Sequence, residues 1–215
     1  MKFPSDAESR AELCYNCGIL CDSISSSVTQ VGVRLYTDGE EHPAYRAFRL
    51  RNEAGTLTLT NLSGVTAGDS PSGKAYLVEN QMVFSQLCDQ AAHFHSPLIC
   101  TSGQPTVAVI RLLDMLAAAG TDLYYAGDFD GKGLSIALQL LTRYPDRLHL
   151  WHMTEADYAR CRADVRLSEA SRALLRTCDN TALASIAEAV AHSGYDGYQE
   201  LLLAELLADL VVNKA

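Results

Sequence analysis

The chain alternates between short apolar runs and longer segments with helical spacing, and this alternation starts after residue 72. Strands of a parallel sheet are covered on both faces, so they are apolar almost throughout, as these runs are. Four repeats of strand and helix predict an α/β fold with a parallel sheet and helices on both faces. The four runs are AYLVEN (75–80), PLICTSG (97–103), DLYYAGDFDGKG (122–133) and RLHLWHM (147–153).

The segments between and after these runs predict helices. Gly120 and Pro145 end two of them, and Thr154 with Asp157 has the spacing of a capping box at the start of another. The C-terminal third is expected to be helical and to dock on the core. The predicted helices cover residues 82–94, 106–120, 134–145, the segment after 154, and 168–213.

The first 72 residues lack this regular alternation of apolar runs and helical segments. They predict a small N-terminal α/β segment, followed by the main domain over residues 73–215. Glycine, serine and proline are dense in 64–74, which is therefore the best candidate for a linker. Within the segment we expect a helix over 7–21, β structure over 23–36, a helix or irregular stretch over 42–54, and an alternating strand over 56–62.

Composition restricts the class of protein. Hydrophobic residues make up 48% of the chain, as in packed globular proteins, and the net charge is −9. A negative chain is poorly suited to binding nucleic acid unless metal ions or a basic partner offset the repulsion. No apolar run reaches the roughly 18 residues of a membrane helix, and the N-terminus has no signal-peptide core, so we expect a cytoplasmic protein without membrane contact.

The seven cysteines are expected to be reduced thiols. Cys14, Cys17 and Cys21 have spacing that suggests a metal site, but a structural zinc needs four ligands and no second pair stands at useful spacing. We expect them to belong to an amphipathic helix.

Acidic residues follow two of the predicted strands. Glu79 ends the first run, and Asp128 and Asp130 end the third; two residues apart, the aspartates face one side of an extended chain, whereas Phe129 faces apolar packing. Ligands of parallel sheets bind at the carboxyl ends of the strands, and neighbouring carboxylates repel unless a cation lies between them. We therefore predict a Mg²⁺ or Mn²⁺ site, although an Asp-x-Asp-Gly stretch is also common in solvated turns.

Phosphate-binding groups are expected beside these acids. Ser102 and Gly103 end the second run, and Lys132 lies between two glycines that start the next helix, whose N-terminus favours anions. A solvated loop lysine is the alternative for Lys132.

A glutamate that ends one strand and an Asp-x-Asp that ends a later strand resemble the Toprim domain of primases, topoisomerases and related nucleases. DFDGKG (128–133) is similar to the Asp-x-Asp-x-x-Gly of topoisomerase VI A subunits. Across most of the chain, and best over residues 76–158, the sequence resembles the bacterial domain-of-unknown-function 2399 family, which has a C-terminal Toprim-like domain. Family members usually carry an upstream domain, which we expect to be missing or vestigial here, and no tyrosine lies in a recognisable winged-helix context of the kind that topoisomerase VI relatives need for strand transfer.

The resemblance implies a Mg²⁺-dependent site for phosphodiester bonds in DNA, within a larger complex that includes a partner protein or an upstream domain. It assigns Glu79 as metal ligand or general acid/base and Asp128 and Asp130 as metal ligands. Glu200 matches a position where the family often has acids, but we expect it on a solvated helix face. The alternative function is a non-catalytic module that binds nucleic acid or a partner subunit, which the acidic charge favours.

Overall fold

The computed structural model describes Leu13, Cys17, residues 22–91 and residues 93–211. The predicted helix over 7–21 lies outside these residues, apart from Leu13 and Cys17. None of the helices in the described ranges is long and apolar enough to span a membrane.

The described residues form eleven strands and nine α-helices. The strands are β1 Ser27–Val31, β2 Arg34–Thr37, β3 Glu40–Glu41, β4 Gly55–Thr58, β5 Ala67–Asp69, β6 Lys74–Val78, β7 Leu98–Cys100, β8 Asp122–Ala126, β9 Leu148–Leu150, β10 Arg162–Arg166 and β11 Tyr195–Gly197. The α-helices are α1 Pro43–Leu50, α2 Leu59–Ser63, α3 Gln81–Gln90, α4 Val107–Ala118, α5 Gly131–Arg143, α6 Glu155–Cys161, α7 Glu169–Leu175, α8 Ala184–Ser193 and α9 Leu203–Leu210. Short 3₁₀ turns cover Arg176–Cys178 and Gln199–Leu202.

Six strands form the central sheet in the order β4-β1-β7-β6-β8-β9. The four strands predicted from the repeats, β6 to β9, are parallel, which confirms the predicted α/β class. The two strands that precede them, β1 and β4, extend the sheet in antiparallel pairing. The predicted division after residue 72 therefore does not coincide with a break in the sheet, and Val28 and Leu57 share its core.

The order of the parallel strands creates a switch point between β6 and β8. From β6 the chain crosses through α3 to β7 on one side, whereas from β8 it crosses through α5 to β9 on the other. Right-handed crossovers then place α3 and α5 on opposite faces. Helix α4 shares the face of α5, to which it is joined by the Asp114–Arg143 ion pair (2.6 Å), and α9 packs against α3. Open sheets bind ligands at such a switch point, beyond the carboxyl ends of the strands.

Several predicted elements are confirmed and others need correction. The helices after β6, β7 and β8 are present, and the Thr154 side chain and Asp157 form the predicted capping box of α6. The strand predicted over 56–62 is wrong beyond Thr58, whose side chain caps α2 and so ends the strand. The predicted linker contains β5, and the predicted helical third contains β11, because pairing with β2 and β10 makes these short segments extended.

Phe129 connects the end of β8 to β11. Its amide donates to the Gly197 carbonyl (2.7 Å), and the Gly197 amide donates back to Phe129 (3.0 Å). The ring is fully buried against Tyr158, with 5.6 Å between ring centroids. As the sequence predicts, Phe129 is packed in apolar surroundings, and it fixes the backbone of the two flanking aspartates.

We expect Phe129→Ala to lower the free energy of unfolding by about 3–5 kcal/mol, because it empties a fully buried ring site. The matched control is Phe48→Ala, since the Phe48 side chain is 40% exposed, and it should change stability by about 0.5 kcal/mol or less. Urea unfolding monitored by circular dichroism measures both values. Equal effects of the two substitutions would contradict the described packing of Phe129.

Candidate functional site

The register of β6 and β8 places Glu79 beside the residues that follow β8. The last residues of the two strands, Val78 and Ala126, are paired. The Glu79 amide then donates to the Ala126 carbonyl (3.2 Å), and the Asp128 amide donates to Oε2 of Glu79 (3.3 Å). The predicted meeting of residue 79 with the acids after β8 is therefore present in the structure.

Tyr125 is a buried polar group next to these acids. Its hydroxyl is fully buried and lies beside the Glu79 carboxylate, to which it can donate a hydrogen bond. Burial first, and then the negative charges of Glu79, Asp128 and Asp130, raises the pKa of Tyr125 well above its ordinary value. A Cβ at Gly127 would lie 2.6 Å from the Tyr125 oxygen, so the backbone can pass there only as glycine. Tyr125 is thus a neutral phenol at the site.

Asp130 starts α5, and its Oδ1 accepts a hydrogen bond from the Gly133 amide (2.7 Å). The helix start is packed closely, because a Cβ at Gly133 would lie 2.2 Å from the Asp128 carbonyl oxygen. The Gly131 amide donates to the Ser171 hydroxyl (2.7 Å). Two of the amides expected to face an anion therefore already have protein acceptors.

The C-terminal segment supplies a second set of contacts to the acids. The Gln199 amide donates to Oδ1 of Asp128 (2.9 Å), and Oε1 of Gln199 accepts from the Asn80 amide (3.1 Å). Nδ2 of Asn80 in turn donates to Oε1 of Glu200 (2.6 Å). Gln199 is 1% exposed, so the segment is firmly docked on the carboxyl ends of β6 and β8.

Glu200 is not on a solvated helix face, and that expectation is wrong. Its Oε2 is buried without a hydrogen bond among the described residues, and the same holds for Oδ1 of Asp196. Burial raises the pKa of Asp196, and the charge of Asp130 raises it further. No strand-end pattern marks these two acids in the sequence, because the C-terminal segment reaches the site through long-range docking on Asn80 and Asp128.

The carboxyl groups of the site lie close together and are largely buried from water. Burial raises the pKa of Glu79. The pKa of Asp128 is raised to about 7, first by burial and then by the charges of Glu79, Glu200 and Asp130, while the hydrogen bond from the Gln199 amide opposes the shift. Close carboxylates raise one another's pKa in this way when no cation compensates them.

Lys132 is the basic side chain at this site. Its Nζ lies 3.2 Å from the position that a Cβ of Gly103 would occupy, and its charge lowers the pKa of Glu79 against the effect of burial. Ser102 and Gly103 both have left-handed backbone conformations, with φ of +57° and +80°. The Gly103 amide donates to the Glu79 carbonyl (3.0 Å), and Ser102 Oγ accepts from Gln81 (3.0 Å). The predicted phosphate-binding residues thus meet at one rim, where the Lys132 ammonium is the cationic group.

The acids are neighbours, but the described residues contain no group of three or more His, Cys, Asp or Glu side chains arranged to hold a metal ion. Asp130 uses one oxygen to cap α5, and Asp128 uses one to accept from Gln199. The predicted ligand set of Glu79, Asp128 and Asp130 stays a prediction. Cys17 is exposed with a free thiol, whereas Cys14 and Cys21 lie outside the described residues.

Parallel strands, helices on both faces and carboxylates at a switch point define an α/β protein with a candidate site at the sheet edge. A family model described as "Protein of unknown function C-terminus (DUF2399)" matches residues 55–210, and the chain belongs to this family. The match begins at β4 and ends with α9, so it includes every residue of the candidate site. No curated protein matches the chain.

We expect Asp128→Asn to stabilise the metal-free protein at pH 8, by about 1–2 kcal/mol or roughly 2–8 °C in Tm. The folded protein holds a proton on Asp128 up to a pKa of about 7, above the ordinary value. The free energy of unfolding therefore falls as the pH rises from about 4 to about 7 in the wild type. The uncharged side chain of Asp128→Asn removes this pH dependence, and its oxygen can still accept the hydrogen bond from the Gln199 amide.

Thermal unfolding at pH 5 and pH 8 in EDTA measures the effect. Asp146→Asn is the control for a change of one charge, because Asp146 is exposed to solvent. A lower Tm for Asp128→Asn at pH 8 would contradict uncompensated charge at the site.

Proposed function

We propose that this chain is a Mg²⁺- or Mn²⁺-dependent, Toprim-like phosphodiester-cleaving domain that acts on DNA, within a larger complex. The observation that carries the proposal is the contact between Glu79 and Asp128 at the ends of adjacent parallel strands, where burial and like charge raise the pKa of both carboxyls. Such a site is stabilised by a cation, and a hard divalent ion suits its oxygen donors.

The side chains fit such an ion in chemistry. Mg²⁺ is commonly bound through one or two protein carboxylates and keeps several waters, so it does not require a closed cage of protein ligands. Glu79, Asp128 and Asp130 would hold the metal, and each carboxylate has a second oxygen besides the one already hydrogen-bonded. The buried, unpartnered Oε2 of Glu200 is a further oxygen at this edge.

A bound divalent ion would polarise a phosphate oxygen and lower the pKa of a bound water. The protein would supply a carboxyl group, Glu79, as metal ligand or general acid/base, and burial raises the pKa of this carboxyl above its ordinary value. The Lys132 ammonium would pair with a phosphate oxygen, which offsets the repulsion between the substrate and the acids. Tyr125 stays protonated and is available as a hydrogen-bond donor beside Glu79.

The resemblance of the strand-end acids to Toprim domains supports phosphodiester chemistry. The second candidate is a module of the same fold that binds nucleic acid or a partner subunit without cleaving. The net charge of −9 and the occupied amides at the start of α5 favour this candidate.

Nicking of supercoiled plasmid with Mg²⁺ or Mn²⁺ separates the two candidates. We expect the wild type to convert supercoiled to open-circular DNA, and Glu79→Gln and Asp128→Asn each to lower the rate about 100-fold or more, because they remove groups that act directly on the reaction. Asp146→Asn is the matched control and should leave the rate unchanged.

Cleavage that survives Asp128→Asn would rule out the proposed site. Absence of cleavage by the wild type, alone and with its partner chain, while Mg²⁺ still raises its Tm, would favour the non-catalytic module.

A further inference from the structure

Basic residues are concentrated in one stretch of this acidic chain. Residues 160–176 contain five arginines and two acids, and so have three net positive charges in a chain whose total is −9. The stretch comprises the end of α6, the exposed strand β10, helix α7 and the start of the 3₁₀ turn that follows. Charge of this sign on one stretch is the usual feature of a surface that binds phosphates.

Three of these arginines meet around the start of β11. The guanidinium carbons of Arg162 and Arg166 lie 5.2 and 5.6 Å from the ring centroid of Tyr195. Nη2 of Arg172 lies 3.3 Å from the position that a Cβ of Gly194 would occupy, and its Nη1 donates to the Ala191 carbonyl (3.3 Å). We call Arg162, Arg166 and Arg172 the arginine surface.

The charges of the arginine surface are not neutralised by acids. Within the described ranges none of its three members forms an ion pair, whereas Arg160 pairs with Asp157 (2.6 Å) and Arg176 with Glu169 (3.4 Å). An aromatic ring orients a guanidinium while leaving its N–H donors and its charge free for a ligand. Tyr195 therefore orients two guanidinium groups without neutralising their charge, which leaves them free to bind an anion.

The arginine surface adjoins the acid site through its own backbone. Asp196 follows Tyr195 directly, and the charge of Asp130 acts on it. Gly197 is paired with Phe129, between the two aspartates of the site. Ser171, next to Arg172, accepts the Gly131 amide at the start of α5. A chain of phosphates bound by the arginine surface would thus pass next to the acids.

We propose that Arg162, Arg166 and Arg172 bind successive phosphates of a nucleic-acid backbone and so bring a phosphodiester to the neighbouring acids. The inference rests on the proposed function for its substrate, but binding can be measured without cleavage. It also gives a chain of charge −9 a means to bind a polyanion, since three arginines without an ion pair in the described ranges lie together on one surface. Guanidinium groups contact phosphates in bidentate geometry, which orients the strand as well as attracting it.

Fluorescence anisotropy of a labelled 20-base-pair DNA duplex in EDTA tests the proposal, with an RNA duplex of the same sequence as a second arm. We expect Arg162→Gln/Arg166→Gln to weaken DNA binding about tenfold or more. The slope of log K against log salt should fall by about 2, because roughly one counterion is released for each phosphate contact.

The matched control is Arg51→Gln/Arg147→Gln, which removes the same charge from two arginines that are paired with Glu53 and Asp122. Arg147 contacts the first residue of β8, at the sheet edge opposite the acids. Equal weakening by the control, unchanged binding by the test variant, or no binding of either duplex by the wild type would each overturn the proposal. Binding of RNA alone, lost in the test variant, would support the surface but assign it to RNA.

The two proposals fail in different ways. Arginine-dependent binding without any metal-dependent cleavage would support the arginine surface and contradict the proposed nuclease activity. Cleavage with the same KM in the test variant and the wild type would support the nuclease activity and contradict the arginine surface. Arg162→Lys/Arg166→Lys keeps the charge but loses the planar stacking on Tyr195, and it should restore part of the lost affinity.

Discussion

Repulsion among carboxylates at the junction of β6 and β8 is the constraint on which the arrangement of this site depends. Parallel register places Glu79 against the backbone of Asp128, and the helix that starts at Asp130 keeps a third acid nearby. Burial strengthens the repulsion, since little water screens these charges. These carboxylates lie at the edge of the sheet where ligands of α/β proteins bind. The proposed cation would offset the repulsion among them.

Close backbone packing holds the acids in place. The start of α5 fits against the Asp128 carbonyl only because residue 133 has no side chain, and Phe129 pins the intervening turn to Gly197. The C-terminal segment then closes the site, with Gln199 hydrogen-bonded both to Asp128 and to Asn80. Three separate parts of the chain therefore define the position of one carboxylate.

Segregation of charge would reconcile the acidic composition with the proposed nucleic-acid substrate. Eight of the arginines in the described ranges are paired with neighbouring acids, and ion pairs near the surface contribute little. The arginines around Tyr195 are different, because an aromatic ring orients them. Net charge describes the whole molecule, whereas a bound polyanion interacts mainly with charges within one Debye length, about 10 Å.

The sequence by itself determined the parallel strands, the helices between them and the meeting of Glu79 with Asp128, because apolar runs and strand-end polarity are local signals that a parallel sheet brings to one edge. Only the tertiary structure decided that one oxygen of Glu200 is buried beside these acids, that β11 is a strand, and that arginines gather around Tyr195. Those features depend on contacts between segments about 30 to 120 residues apart, from Arg166 with Tyr195 to Asn80 with Glu200. No local periodicity encodes such contacts, since their stabilisation exists only once the sheet edge they cover has formed.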